Sequence, residues 1–203
     1  VASSPADQAE KRRGVAGLIL AYKIAGAAAD QMMSLDEVCA ITRRAQDNIR
    51  SMGVATSPCI LPQVGKPTFT IGEGEIEIGM GIHGEPGIEV RPMMTADEVM
   101  NLLVEKIAAE FPLGQGDQVV LMVNGLGATP LEELYICYRA LHRQLLDRGV
   151  KLTPPMIGEY TTSMEMSGLS ISMMKVDPQL LELYHYPVST PFYTNANQSG
   201  VRI

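Results

Sequence analysis

The chain has 203 residues, 46% of them hydrophobic and 19% charged, a balance that folds into one compact unit and excludes an intrinsically disordered chain. A net charge of -7 and an aromatic content of 5% exclude a surface built to attract and stack nucleic acid. The most apolar stretch, Val15 to Ala29, is broken by Lys23 and falls short of the roughly 20 apolar residues a membrane span needs, so no membrane insertion is expected.

Val1 stands where a Met would begin a nascent chain, which suggests a piece of something longer. From Ala9 to Met32 the small and aliphatic residues predict a helix packed on several sides and weakened by Gly14, Gly17 and Gly26. Ser34-Leu-Asp-Glu37 is a capping box, in which serine and glutamate satisfy each other's free backbone donors, and predicts a second helix from Leu35 to about Met52. Between Gly53 and Gly87 lie four prolines and eight glycines. Within that turn-rich stretch, Glu75-Ile-Glu-Ile-Gly-Met80 alternates with period two, which predicts a strand with one dry face.

A second capping box, Thr95-Ala-Asp-Glu98, opens a helix that ends near Phe111. Gln118 to Val123 is an apolar run suited to a central strand covered on both faces. A helix from Pro130 to about Arg148 follows, with Thr129 and Glu132 expected to form its capping box. Met156 to Met164 and Leu169 to Val176 predict two more strands, and Asp177-Pro178 caps a short last helix. Interleaved strands and helices without internal repeats predict an α/β layered domain with a mixed sheet over residues 1–186 and an irregular tail over residues 187–203, disordered or wrapped over a neighbour.

Three segments have room for chemistry. Gly79-Met-Gly-Ile-His-Gly-Glu-Pro-Gly87 sets His83 at the end of the alternating strand, framed by Gly81, Gly84 and Gly87, where a ligand can approach without side-chain obstruction. A neutral imidazole nitrogen there is a competent nucleophile toward an activated carbonyl. Glu85 is a candidate to orient the ring. The plain structural alternative is a turn whose glycines serve geometry alone. Asn124-Gly-Leu-Gly-Ala-Thr-Pro130 lacks the pattern of a phosphate loop and carries Glu132 and Glu133 where a phosphate would sit, so it reads as architecture. Met156, Met164, Met166, Met173 and Met174 read as adaptable core or as a dimer contact.

His142 and His185 stand alone as helix-surface residues. Cys39, Cys59 and Cys137 have neither metal nor disulfide spacing and read as reduced thiols of a cytoplasmic protein. No metal or cofactor site is expected on this chain.

Several motifs, in order, carry a resemblance: Lys11-Arg-Arg-Gly-Val-Ala-Gly17, Lys23-Ile-Ala-Gly-Ala-Ala-Ala29, Ser51-Met-Gly-Val-Ala55, Gly65-Lys-Pro-Thr-Phe69, Glu77 to Ile88, Asn124 to Leu134 and Leu169 to Val176. From about Arg12 to Phe192 the chain resembles the latter half of the substrate-binding unit of dihydroxyacetone kinases. The resemblance implies that His83 adds to the ketone of dihydroxyacetone, or of a similar small ketose, as a covalent hemiaminal, with Gly81, Gly84 and Glu85 forming the substrate loop. It also implies a homodimer and a nucleotide-binding kinase domain or subunit elsewhere, carrying ATP-Mg or a phosphocarrier-fed ADP-Mg. The family's general base has no counterpart in this sequence, which implies a chain inactive as a kinase by itself. A ketose-sensing or regulatory module of the same fold is the alternative.

Overall fold

The computed structural model describes residues 6–12, 16–83 and 85–195. A 3-10 turn, Ala6–Lys11, precedes α1 (Gly17–Asp30), α2 (Leu35–Asp47), β1 (Ile49–Ala55), β2 (Glu75–Ile78) and β3 (Glu89–Pro92). Then follow α3 (Ala96–Ala108), β4 (Gln118–Gly125), α4 (Leu131–Asp147), β5 (Lys151–Leu152) and β6 (Met156–Gly158). The described chain ends with β7 (Gly168–Lys175), α5 (Pro178–His185) and a small hairpin of β8 (Val188–Ser189) and β9 (Thr194–Asn195).

The sheet runs β3-β2-β1-β7-β4-β5, with β6 also pairing β4. The β4 pairings with β5 and β6 are parallel and the others antiparallel, so the mixed sheet and the α/β class are as the sequence predicts. Strand β4 is apolar on both sides because both sides are covered. Val119, Leu121 and Val123 pack with Leu103 of α3 and Leu141 of α4. Val120 and Met122 pack with Leu20 and Ile24 of α1, Ile41 of α2 and Leu180 of α5.

Both capping boxes form: Ser34 and Thr95 each accept a hydrogen bond from the backbone N–H of Glu37 and Glu98, and those glutamates accept in return. Holding the proton-free carboxylate in this way keeps Glu37 and Glu98 below the usual carboxylate range. The third expected box fails. Pro130 takes the cap position of α4 without a side-chain bond, and the Thr129 hydroxyl instead donates to the Gly168 carbonyl (2.8 Å) and accepts from its N–H (2.7 Å).

Element ends depart from expectation where a tertiary partner decides them. The helix expected over Ala9–Met32 is a 3-10 turn followed by α1, with residues 13–15 between them lying outside the described residues. Gly17 starts α1 against β1, where a Cβ would lie 2.8 Å from Ile49 Cγ2 and 3.0 Å from Ser51 Oγ. The second helix stops at Asp47 rather than Met52, and Asn48 turns its Nδ2 back to the Arg44 carbonyl (2.9 Å). Residues 49–55 then pair along their whole length with β7. The strand expected over Met156–Met164 ends at Gly158, whereas β7 extends as predicted. Part of the expected irregular tail is the β8–β9 hairpin, with Phe192 and Tyr193 stacked edge-on against Tyr160 at 6.2 Å; residues 196–203 lie outside the described residues.

Two polar interactions fix the α1 side of the sheet. Lys23 is nearly buried and donates from Nζ to the carbonyls of Leu183 and Tyr186 at the end of α5, where a helix dipole favours a cation; burial lowers its pKa. Asn124, fully buried, donates to the Thr161 carbonyl (2.7 Å) and accepts from the N–H groups of Tyr160 and Thr161 (2.8 Å each). Removing that amide takes the side-chain partner from three part-buried backbone groups. We expect Asn124→Ala to lower unfolding stability by about 2–3 kcal/mol, read as a reduced urea midpoint at unchanged m-value.

Candidate functional site: a histidine on a glycine-framed loop

Strand β2 leads into the turn that carries the candidate residue. Ile76 and Ile78 are fully buried on the α3 side, as the alternation predicts. Glu77 departs from it: a residue read as outward-facing is only 6% exposed. Its carboxylate accepts a hydrogen bond from the Gly87 N–H, ten residues along. A near-buried carboxylate needs such a donor, and here the donor is the exit of the loop. Gly87 must lack a side chain, because a Cβ there would overlap the Ile78 carbonyl oxygen.

Main-chain bonds close the loop at its base: the Gly79 N–H donates to the Gly53 carbonyl (2.8 Å) and the Ile88 N–H to the Ile78 carbonyl (2.8 Å). Met80 is buried with Ala55, Cys59, Leu126 and Met166, and Ile82 packs on that cluster. The loop therefore has a dry underside and an exposed crown, and the crown is His83. Its side chain is 75% exposed.

Glu85 organises the crown. Its Oε2 accepts from the His83 N–H (3.1 Å), and its main-chain carbonyl accepts from the Gly81 N–H (2.9 Å). Its Oε1 lies 3.6 Å from His83 Nδ1. The turn lets one carboxylate reach both the main chain and the ring of His83. Gly81 is what admits it, since a Cβ at that position would overlap the Glu85 carboxylate. The remaining predicted loop residue, Gly84, lies outside the described residues.

The loops beside this one are tied down in the same manner, a feature that sequence reading did not supply. The Ile60 N–H donates to Glu165 (2.5 Å) and the Gly72 N–H to Glu75 (3.0 Å), while Ser57 accepts from the Ser167 N–H (2.9 Å). The turn after β4 is architecture, as expected, though through Asn124 and Thr129 rather than a capping box. Four of the five methionines singled out are core: Met156, Met166, Met173 and Met174 are buried, and Met164 alone is on the surface, at 54% exposure. The methionine-rich strands thus fill the interior and offer no methionine face for a dimer contact.

His142 packs against Tyr138 and His185 against Tyr184 on their own helices. Cys39, Cys59 and Cys137 are free thiols, with Cys59 and Cys137 buried. Burial pushes the Cys137 thiol up to about 11, which removes it as a nucleophile near neutral pH. Among the described residues no group of three or more His, Cys, Asp or Glu side chains is arranged to hold a metal ion, and no helix is long and apolar enough to cross a membrane.

Fold and loop together define an α/β unit that presents one exposed imidazole on a glycine-framed turn held by carboxylate and main-chain hydrogen bonds. The family model for the Dak1 domain matches residues 1–192, and the chain belongs to that family. It is 43% identical over 180 residues to the PTS-dependent dihydroxyacetone kinase 1, dihydroxyacetone-binding subunit DhaK, of Listeria innocua, covering 88% of this chain and 55% of that protein. Among solved structures it is similar to the dihydroxyacetone kinase operon co-activator Dha-DhaQ (34% identity, TM-score 0.81, 91% of this chain and 56% of that one). It is also similar to the dihydroxyacetone kinase from C. freundii in complex with AMP-PNP and Mg2+ (34% identity, TM-score 0.74, 84% and 31%). The chain spans about half the length of the curated relative.

The loop geometry makes a prediction independent of chemistry. Gly87→Ala drives a methyl into main chain that cannot yield, so it should cost about 1–3 kcal/mol in urea unfolding. Gly114→Ala, at a turn where a Cβ meets nothing within 4 Å, should cost far less.

Proposed function

We propose that this chain is the dihydroxyacetone-binding part of a dihydroxyacetone kinase, and that His83 holds the ketone as a covalent hemiaminal. The observation that carries the reading is the exposed imidazole at the crown of a loop pinned by Glu77 and Glu85. A three-carbon ketose offers little surface to bury, and a reversible bond to its carbonyl gives both grip and selectivity over glycerol, which has no carbonyl. The family membership and the dihydroxyacetone-binding role named for the 43%-identical relative support the same reading.

Phosphoryl transfer requires an in-line donor and charge neutralisation. On this proposal ATP-Mg or ADP-Mg sits on a partner kinase domain or subunit in the cytoplasm, and His83 keeps a terminal hydroxyl of the ketose in its path. The rival, a ketose-sensing module without catalysis, draws on the solved co-activator at 34% identity. The kinase-subunit reading is preferred because it rests on the more similar relative.

The test uses this chain with 15N-labelled histidine and [2-13C]dihydroxyacetone. The reading expects a tetrahedral carbon signal split by one-bond coupling to a ring nitrogen, lost in His83→Asn. A coupled signal that survives His83→Asn, or none at saturating ketone, defeats the hemiaminal.

A further inference from the structure

We propose that Glu85 is a positioning residue for His83: its carboxylate holds the Nδ1 proton, so that Nε2 is the atom offered to the ketone, and it takes up the positive charge the ring gains as the bond forms. The proposal rests on the hemiaminal reading above and assigns a residue and a tautomer to it.

The geometry divides one carboxylate between two tasks. Oε2 is occupied by the His83 N–H at 3.1 Å, which fixes the carboxylate relative to the backbone that carries the ring. Oε1 is thereby left facing Nδ1 at 3.6 Å. That separation is longer than a hydrogen bond, and a modest rotation of the exposed ring closes it; contacts of this kind tighten when ligand is bound. The carboxylate is also sheltered, at 35% exposure against 75% for the imidazole, and it occupies the notch left by Gly81. Glu75, Glu77 and Glu165 hold loop amides in the same way, each accepting from a backbone N–H. Glu85 is the one of these four that also faces a ring nitrogen.

The chemistry needs such a group. As the lone pair of Nε2 forms the bond to the carbonyl carbon, the C=O π pair moves onto oxygen, which takes a proton from solvent. The ring passes through an imidazolium and loses its Nδ1 proton through Glu85 to solvent. The net change is imidazole plus ketone giving neutral hemiaminal, with no net proton uptake. A carboxylate beside Nδ1 selects the reactive tautomer before addition and stabilises the cation during it.

The experiment has two readouts on 15N-histidine-labelled protein: the His83 tautomer from ring nitrogen shifts without ketone, and adduct formation with [2-13C]dihydroxyacetone. Wild type should show Nδ1–H as the main neutral tautomer. Glu85→Ala should shift the ring toward Nε2–H and weaken adduct formation on the order of 10-fold or more. Gly81→Ala should do the same by displacing the carboxylate. Glu85→Gln has one acceptor where the carboxylate uses two; with its oxygen on the His83 N–H its NH2 faces Nδ1, so it too should shift the ring toward Nε2–H and weaken addition. Glu75→Ala, which loosens a neighbouring loop amide, should change neither. An unchanged tautomer and adduct in Glu85→Ala overturns the proposal and leaves the hemiaminal standing. Equal effects from Glu75→Ala also overturn it, as general loosening of the loops. Absence of the adduct in wild type sinks the hemiaminal, and the proposal with it.

Discussion

A carboxylate removed from water must find donors, and in this protein that requirement shapes the loop on which everything else rests. Glu77 is held in the sheet at 6% exposure, where leaving its charge unpaired would cost several kcal/mol. The Gly87 N–H answers it, and in doing so folds the chain back on itself between residues 79 and 87. Glu85 repeats the device one level up, tying the His83 amide. The glycines at 81 and 87 matter for the space they vacate, since both positions abut the partners that hold the loop.

The scaffold beneath explains why such a loop can stay rigid. Strand β1 is clamped along its length by β7, which is itself clamped along its length by β4, and both faces of that central group are covered by helices. Met80 and Ile82 then dock the loop onto the end of this sheet. An exposed histidine on so well supported a turn differs from an exposed histidine on a mobile one. Its ring is open to solvent while hydrogen bonds hold its backbone, and on the proposed reading this reduces the ordering cost of binding.

What could be read from the sequence was what is decided locally. The Ser34 and Thr95 capping boxes involve partners three residues away, and both form. Thr129 carries the same signal, but Gly168, 39 residues on, competes for its hydroxyl and wins. The alternation of Glu75 to Met80 located β2, which ends two residues earlier at Ile78, while misplacing Glu77, because the donor that permits its burial lies beyond the strand. Strand β1 was hidden by a helical pattern that runs on past Asn48, and its partner β7 is more than a hundred residues away in sequence. His83 stood out through its framing glycines. Glu85 was a candidate partner from the sequence, but its double contact, with the His83 N–H and toward the ring, depends on a turn that only the folded loop provides.

A high-resolution crystal structure of this chain soaked in dihydroxyacetone tests the central claim most directly. The account predicts continuous density from His83 Nε2 to a tetrahedral C2, with Glu85 facing the opposite ring nitrogen. A planar ketone resting at van der Waals distance, or one bound elsewhere on the molecule with His83 unmodified, would contradict it.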